Sequence, residues 1–152
     1  MRIVHIIPFY GEQHGGSERY VHNLVKHQIK KHDVHIFSTT RLFENRGCIE
    51  QEGYTLHRFY SPAVVWNINP ICFILHRLAG FEADIIHIHS YLYFSSIQAI
   101  FSKRLNQVPM LLHLHGGVGI PPYQTSLIKK SAKIFYDRFI GSYILKNADM
   151  IA

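Results

Sequence analysis

Cysteine is scarce in this 152-residue chain: only Cys48 and Cys72 occur, with no CxxC or CxxH spacing. That excludes a zinc knuckle, a redox pair and a disulfide scaffold, and two reduced, inert thiols are expected. Acidic residues are also few, 10 Asp and Glu against 16 Lys and Arg, so the formal charge is +6 and the surface favours anionic partners. No uncharged apolar run reaches the roughly 18 residues that a membrane-spanning helix needs. The nearest, residues 61–81, is broken by Asn67, Asn69, Pro70 and the pair His76 and Arg77. GxGxxG, GxxxxGK[ST] and GxSxG are all missing, which argues against an ordinary dinucleotide site, a P-loop and a nucleophile elbow. There is no basic stripe interleaved with aromatics, so nucleic acid is not an expected partner. Internal repeats and low-complexity segments are absent too.

What is present describes a single folded unit. With 47% apolar and 13% aromatic residues, the chain can bury a substantial core. Histidine is abundant at 12 residues, so the net charge climbs in mild acid. The start, "MRIVHIIPFYG", has one basic residue, an apolar run broken by Pro8 and no small-residue cleavage site. It reads as a first core strand rather than a signal peptide, and a cytoplasmic location is expected.

Strand and helix patterns alternate along the chain. β-branched runs over 2–9, 33–39, 54–60, 84–90, 110–116 and 149–152 read as strands. Between the first two, apolar residues recur at Tyr20, Val21, Leu24, Val25 and Ile29, one face of a helix whose N-cap should be Gly16 or Ser17. Further helices are expected after Pro70 up to Gly80, from about 95 to 105, and over 125–148, while 41–53 reads as polar and irregular. Such βαβ alternation predicts an α/β fold: a doubly wound, mostly parallel Rossmann-like sheet with helices on both faces, binding ligands outside the carboxyl ends of its strands. The sequence ends inside an apolar strand, which suggests a fragment of a longer protein.

Three constellations could carry chemistry. Gly11, Gly15 and Gly16 lie between a strand and a helix start, where free backbone N–H groups and the helix dipole can hold an anion and missing side chains permit close approach. The alternative is a bare turn with a glycine at positive φ. Two histidine pairs, His87 with His89 and His113 with His115, stand at i, i+2 near strand ends, so each pair shares a face. His89 and His115 are expected to point into the cleft and His87 and His113 to pack; zinc is disfavoured because carboxylates are few nearby. Finally, Lys129, Lys130, Lys133 and Arg138 mingle with Leu127, Ile128, Ile134, Phe135, Phe139 and Ile140, a composition that fits either an anionic membrane surface or a solvated face over a core stripe.

Read in order, "GEQHGGSERYVHNLVKHQIKKHDVHIFST", "ADIIHIHS", "PMLLHLHGG" and "NADMIA" resemble the amino-terminal domain of glycosyltransferase family 4, the retaining sugar transferases of GT-B fold. The resemblance spans essentially the whole chain, residues 1–152. It implies that this Rossmann-like domain binds the acceptor, a glycan or lipid-linked molecule, while a second domain outside this chain binds the nucleotide-diphosphate sugar. No metal or other cofactor is implied, and this domain alone should be inactive. By the same resemblance, Gly15, Gly16 and Gly116 let the donor approach, and His115 reaches the transferred sugar to hydrogen-bond a hydroxyl or stabilise developing charge. Glu18, Arg41, His89, Ser90 and Tyr91 are the acceptor-side candidates. A location at the inner face of the membrane would suit a lipid-linked acceptor.

One departure stands out. Where the family commonly has glycine before the histidine that opens the second strand, this chain has Lys31 before His32, so the first helix must end without a left-handed glycine or with a strained lysine. The competing reading is a self-contained, non-catalytic flavodoxin-like module that binds a nucleotide or anion.

Overall fold

The computed structural model describes residues 1–11, 15–66, 69–116 and 126–152. Among them a seven-stranded sheet forms from β1 (Arg2–Ile6), β2 (Asp33–Thr40), β3 (Gly47–Gln51), β4 (Tyr54–Tyr60), β7 (Ile85–His89), β8 (Met110–His113) and β9 (Met150–Ile151). A separate two-stranded ribbon pairs β5 (Ala63–Val65) with β6 (Asn69–Ile71). The sheet order is β3-β4-β2-β1-β7-β8-β9, and every neighbour is parallel except the edge pair of β3 and β4. Counting only the parallel strands, this is the doubly wound order 3-2-1-4-5-6, with its reversal between β1 and β7.

Alternation on the central strands gives the sheet two different faces. Val4, Ile6, Ile86, Ile88 and Leu112 point to one side and pack against α2 (Leu75–Ala79), α3 (Phe94–Asn106) and α5 (Ser142–Asn147) through Leu78, Ala99, Ile100 and Ile144. The other side is covered by α1 (Gly16–Gln28), whose Val21 and Val25 sit on Ile7, Val34, Ile36 and Leu56. Burial on both faces explains why these strands read as near-continuous aliphatic runs.

Several expected boundaries move. α1 starts at Gly16, with Gly15 as its N-cap in extended geometry, one residue earlier than the Ser or Gly pattern suggested. Its carboxyl end needs no left-handed residue: Ile29 caps it in right-handed geometry, and the His32 N–H donates to the Gln28 carbonyl. Lys31 is therefore unstrained. The 41–53 segment is not irregular, since its Gly47–Gln51 portion forms the antiparallel edge strand. The expected helix after Pro70 shrinks to Leu75–Ala79, because Pro70 itself lies in β6 opposite Val64. Proline tolerates that position because the ribbon is an isolated edge.

The long amphipathic segment is helical from Leu127 to Asn147 with Ser126 as its N-cap, its first predicted residue, Thr125, lying outside the described ones. It is interrupted by a π-turn at Asp137–Gly141 between α4 (Leu127–Tyr136) and α5. At that turn the Tyr91 ring lies against Gly141, where an added Cβ would come within 2.9 Å of the ring. Only glycine fits there.

Candidate functional site

The carboxyl ends of β7 and β8, beside the amino terminus of α1, enclose a cleft of about 160 Å³. Ser17, His89, Ser90, Tyr91, Tyr93, His115 and Gly116 contribute to its walls. This position borders the strand-order reversal, where doubly wound sheets bind ligands. A larger concavity of about 710 Å³ opens at the amino ends of the strands, where Arg2 is paired with Asp33 and Asp84. There, Arg2 Nε donates to Asp33 at 2.7 Å and the Arg2 backbone N–H donates to Asp84 at 2.5 Å.

The histidines of β7 and β8 share a face as their i, i+2 spacing requires, with ring centroids 4.1 Å apart for His87 and His89 and 4.2 Å apart for His113 and His115. A fifth imidazole, His5 of β1, joins them, stacked on His89 at 5.2 Å. His5 sits in an apolar run, where no local pattern sets it apart. Its parity relative to Val4 and Ile6 on a strand next to β7 was the signal that it joins the pairs.

The rings form a hydrogen-bonded file. His5 Nε2 meets Gln28 Oε1 at 2.7 Å, His5 Nδ1 meets His89 Nε2 at 2.9 Å, and His89 Nδ1 meets His115 Nε2 at 2.8 Å. His89 is only 1% exposed, so although it lines the cleft wall it is chiefly an interior link, and His115 is the half-buried end of the file. Tyr20 of α1 lies over the far end, 4.6 Å from His113 and 4.9 Å from His115.

Burial pushes the His5 pKa down to about 4, partly opposed by its bond to Gln28. It pushes His87 down to about 3, helped by the neighbouring rings, and it lowers His89 further still. His115 falls to about 4 through burial and then the proximity of His113. All four are neutral near pH 7. Nitrogens of His5, His87 and His89 lie within 4.8 Å of one another, near enough for a metal ion. Both nitrogens of His5 and of His89 are already engaged in the file, so a metal there would have to break those bonds.

The glycines divide into two kinds. Gly15 is extended at φ −73°, so it does not serve a left-handed turn; Gly11 and Gly116 do have positive φ, 85° and 123°. A Cβ built on Gly15, Gly16 or Gly116 meets no described atom within 4 Å. The missing side chains at these positions leave open space rather than relieving an internal contact, and of the three only Gly116 lines the cleft, with Ser17 next to Gly16.

The remaining candidates take distinct places. Glu18 accepts a hydrogen bond from the Gly15 N–H at 3.3 Å, half of a capping box at the positive end of α1. It also lies near enough to Tyr93 to help burial raise that phenol's pKa. Ser90 has φ 81°, a conformation that costs a non-glycine residue energy; its N–H donates to the His113 carbonyl at 2.8 Å and its own carbonyl accepts from Ser96 Oγ at 2.7 Å. Tyr91 is buried, and its hydroxyl binds Asp137 at 3.0 Å and Lys133 at 2.8 Å. It anchors the helical segment to the cleft. Arg41 is exposed past the end of β2, above the Phe9 ring at 5.8 Å, and is not among the residues lining this cleft.

The two thiols differ. Cys72 is buried, its thiol pushed up to about 12, whereas exposed Cys48 has its Sγ 3.0 Å from His57 Nδ1. Among the described residues no helix is long and apolar enough to cross a membrane.

Comparison with curated protein sequences gives no match. Among solved structures, sucrose-phosphate synthase from Thermosynechococcus elongatus superposes with a TM-score of 0.67 at 17% identity, over 99% of this chain and 41% of that one. A trehalose-6-phosphate protein from E. coli, bound with UDP-2-fluoro glucose, gives 0.55 at 15% identity, over 99% and 39%. Anabaena Alr3699/HepE, in complex with UDP and glucose, gives 0.55 at 14%, over 100% and 43%. The chain thus spans about two fifths of the length of these GT-B structures, and at such identities the likeness is one of fold. The model of Glycosyltransferase Family 4 matches residues 14–152, from the glycine turn to the last strand, and the chain belongs to that family.

Proposed function

We propose that the chain is the acceptor-side half of a retaining glycosyltransferase that moves a sugar from a nucleotide-diphosphate sugar to a glycan or lipid-linked acceptor. The observation that carries this reading is the convergence of an uncharged His115 with Gly116 and with Ser17, at the glycine-led start of α1, on one strand-end cleft. A neutral imidazole suits a sugar hydroxyl better than a phosphate. The bound UDP-2-fluoro glucose, and the UDP and glucose, of two structural neighbours make a UDP-sugar the first donor class to try.

The diphosphate's charge would be met largely by a second domain, so the 152-residue chain alone would bind donor weakly and transfer nothing. The protein's part is positioning and electrostatics at the reacting carbon, with the leaving phosphate helping to remove the acceptor proton. No metal enters this scheme. The exposed row of Leu127, Ile128 and Phe135 beside Lys129 suits an anionic membrane surface, which would bring a lipid-linked acceptor to the cleft from the cytoplasmic side.

The deciding experiment incubates full-length protein with a panel of UDP-sugars and with glycan and lipid-linked acceptors, with and without EDTA, and reads the anomeric configuration of the product by NMR. Retained configuration and EDTA-insensitive turnover are expected. Failure to transfer from any nucleotide-sugar, together with stoichiometric nucleotide binding by this chain alone, would favour a non-catalytic binding module instead.

A further inference from the structure

We propose that Gln28, His5 and His89 are positioning residues that set the tautomer of His115, so that it offers the cleft a hydrogen-bond acceptor, Nδ1. Gln28 Oε1 carries only lone pairs, so His5 Nε2, 2.7 Å away, must donate to it. A neutral imidazole has one N–H, which leaves His5 Nδ1 as an acceptor, and the proton in its 2.9 Å contact comes from His89 Nε2. The same step repeats once more: His89 Nδ1 accepts, and His115 Nε2 donates across 2.8 Å.

Three rings, on β1, at the end of β7 and two residues past the end of β8, are thereby forced into one polarity by a single amide oxygen on α1. The last ring has its proton committed inward. Its other nitrogen has no partner among the described residues, and the ring lines the cleft. A group with a lone pair and no proton there recognises a donor: a sugar hydroxyl, and not a phosphate oxygen.

The polarity is fixed before any ligand arrives, so no reorientation is required when the hydroxyl binds, and the acceptor strengthens its hold as that oxygen becomes more acidic in an oxocarbenium-like transition state. Rigid support suits such a role. His5 and His89 are buried on neighbouring strands that pair Ile88 with Ile6, and Tyr20 closes the stack from above. The inference rests on His115 as the sugar-contacting residue, but its first test needs no substrate.

In full-length protein labelled with ¹⁵N-histidine, long-range ¹H–¹⁵N correlation spectra at pH 7 identify the protonated nitrogen of each ring. His5, His89 and His115 are expected to be neutral and protonated at Nε2. A His115 protonated at Nδ1, which the opposite orientation of the Gln28 amide would produce, or a doubly protonated one, overturns the proposal. Gln28→Glu keeps an acceptor facing His5 Nε2 and should leave His115 protonated at Nε2. Gln28→Leu, at a half-buried position, should let His115 populate the Nδ1–H form and lower kcat at least tenfold with KM changed less than twofold. An unchanged His115 tautomer in Gln28→Leu would show that the file does not set it. The spectra stand even if no sugar is transferred, so a failed transferase reading and a failed relay are told apart.

Discussion

The two faces of the central strands differ in kind. Toward α2, α3 and α5, β1, β7 and β8 present Val4, Ile6, Ile86, Ile88 and Leu112, an aliphatic layer that packs without direction. Toward α1 the same strands present His5, His87, His89, His113 and His115, five imidazoles within ring contact. Apolar area holds the first face together, and any good packing would serve it. The second depends on hydrogen-bond polarity, and one ring, His87, is left with a buried Nε2 that has no partner among the described residues. The face toward the helices supplies stability, and the face beneath α1 gives up some of it to hold groups in fixed orientation.

Acid should expose that difference most strongly. The buried histidines have folded-state pKa values below their ordinary 6.5, at about 4 for His5 and about 3 for His87, so between those values and 6.5 the unfolded chain binds more protons than the folded one. Stability is therefore full above pH 6.5 and is lost as pH falls, by about 1.4 kcal/mol per pH unit for each histidine kept neutral. Urea titrations at pH 7, 6 and 5 should show the midpoint dropping steeply, and a flat profile would contradict the burial of these rings. His87→Leu should flatten the slope and leave stability at pH 7 equal or higher, since it removes an unsatisfied buried nitrogen.

On the aliphatic side, Ile88→Ala should cost about 2–5 kcal/mol in denaturant unfolding, with the pH slope unchanged. His115→Ala inverts this pattern: the unfolding midpoint at pH 7 should barely move, while transfer by the full-length enzyme falls at least about tenfold, a lost contact of ~1.4 kcal/mol or more. Turnover near wild type would make His115 a packing ring like its neighbours. The smallest effect belongs to Glu18→Ala, which removes a cap bond on an exposed helix start and should cost roughly 0.5–1 kcal/mol of stability. A large rise in acceptor KM from that variant would move Glu18 from the cap into the site.

Much of this was legible in the sequence, and unevenly so. The parallel strands announce themselves through aliphatic runs, and the strand order follows from crossover handedness and short connections. Two-residue periodicity correctly put each histidine pair on one face. The sequence could not show that His5 completes the set, because contacts between strands depend on register: His5 is level with His87, a pairing across the sheet that no local pattern encodes. Nor could it show that Gln28, at the last turn of α1, meets His5 from the opposite layer. The edge strand Gly47–Gln51 was hidden because exposed edges have no apolar face to betray them.

The π-turn at Asp137–Gly141 brings Asp137 and Gly141 against the same aromatic residue, Tyr91. Outward, α4 carries Leu127 and Ile128, 77% and 80% exposed, and buries none of its residues. Inward, the same segment grips one aromatic residue from several sides: Lys133 and Asp137 hold the Tyr91 hydroxyl, Tyr136 donates to the Tyr91 carbonyl at 2.6 Å, and Gly141 admits the ring edge. Tyr91 follows Ser90, whose twisted backbone ends the strand carrying His89. The exposed apolar row and the cleft wall are thus joined by one residue: the helical segment is pinned to Tyr91, two positions beyond His89, where β7 ends at the cleft.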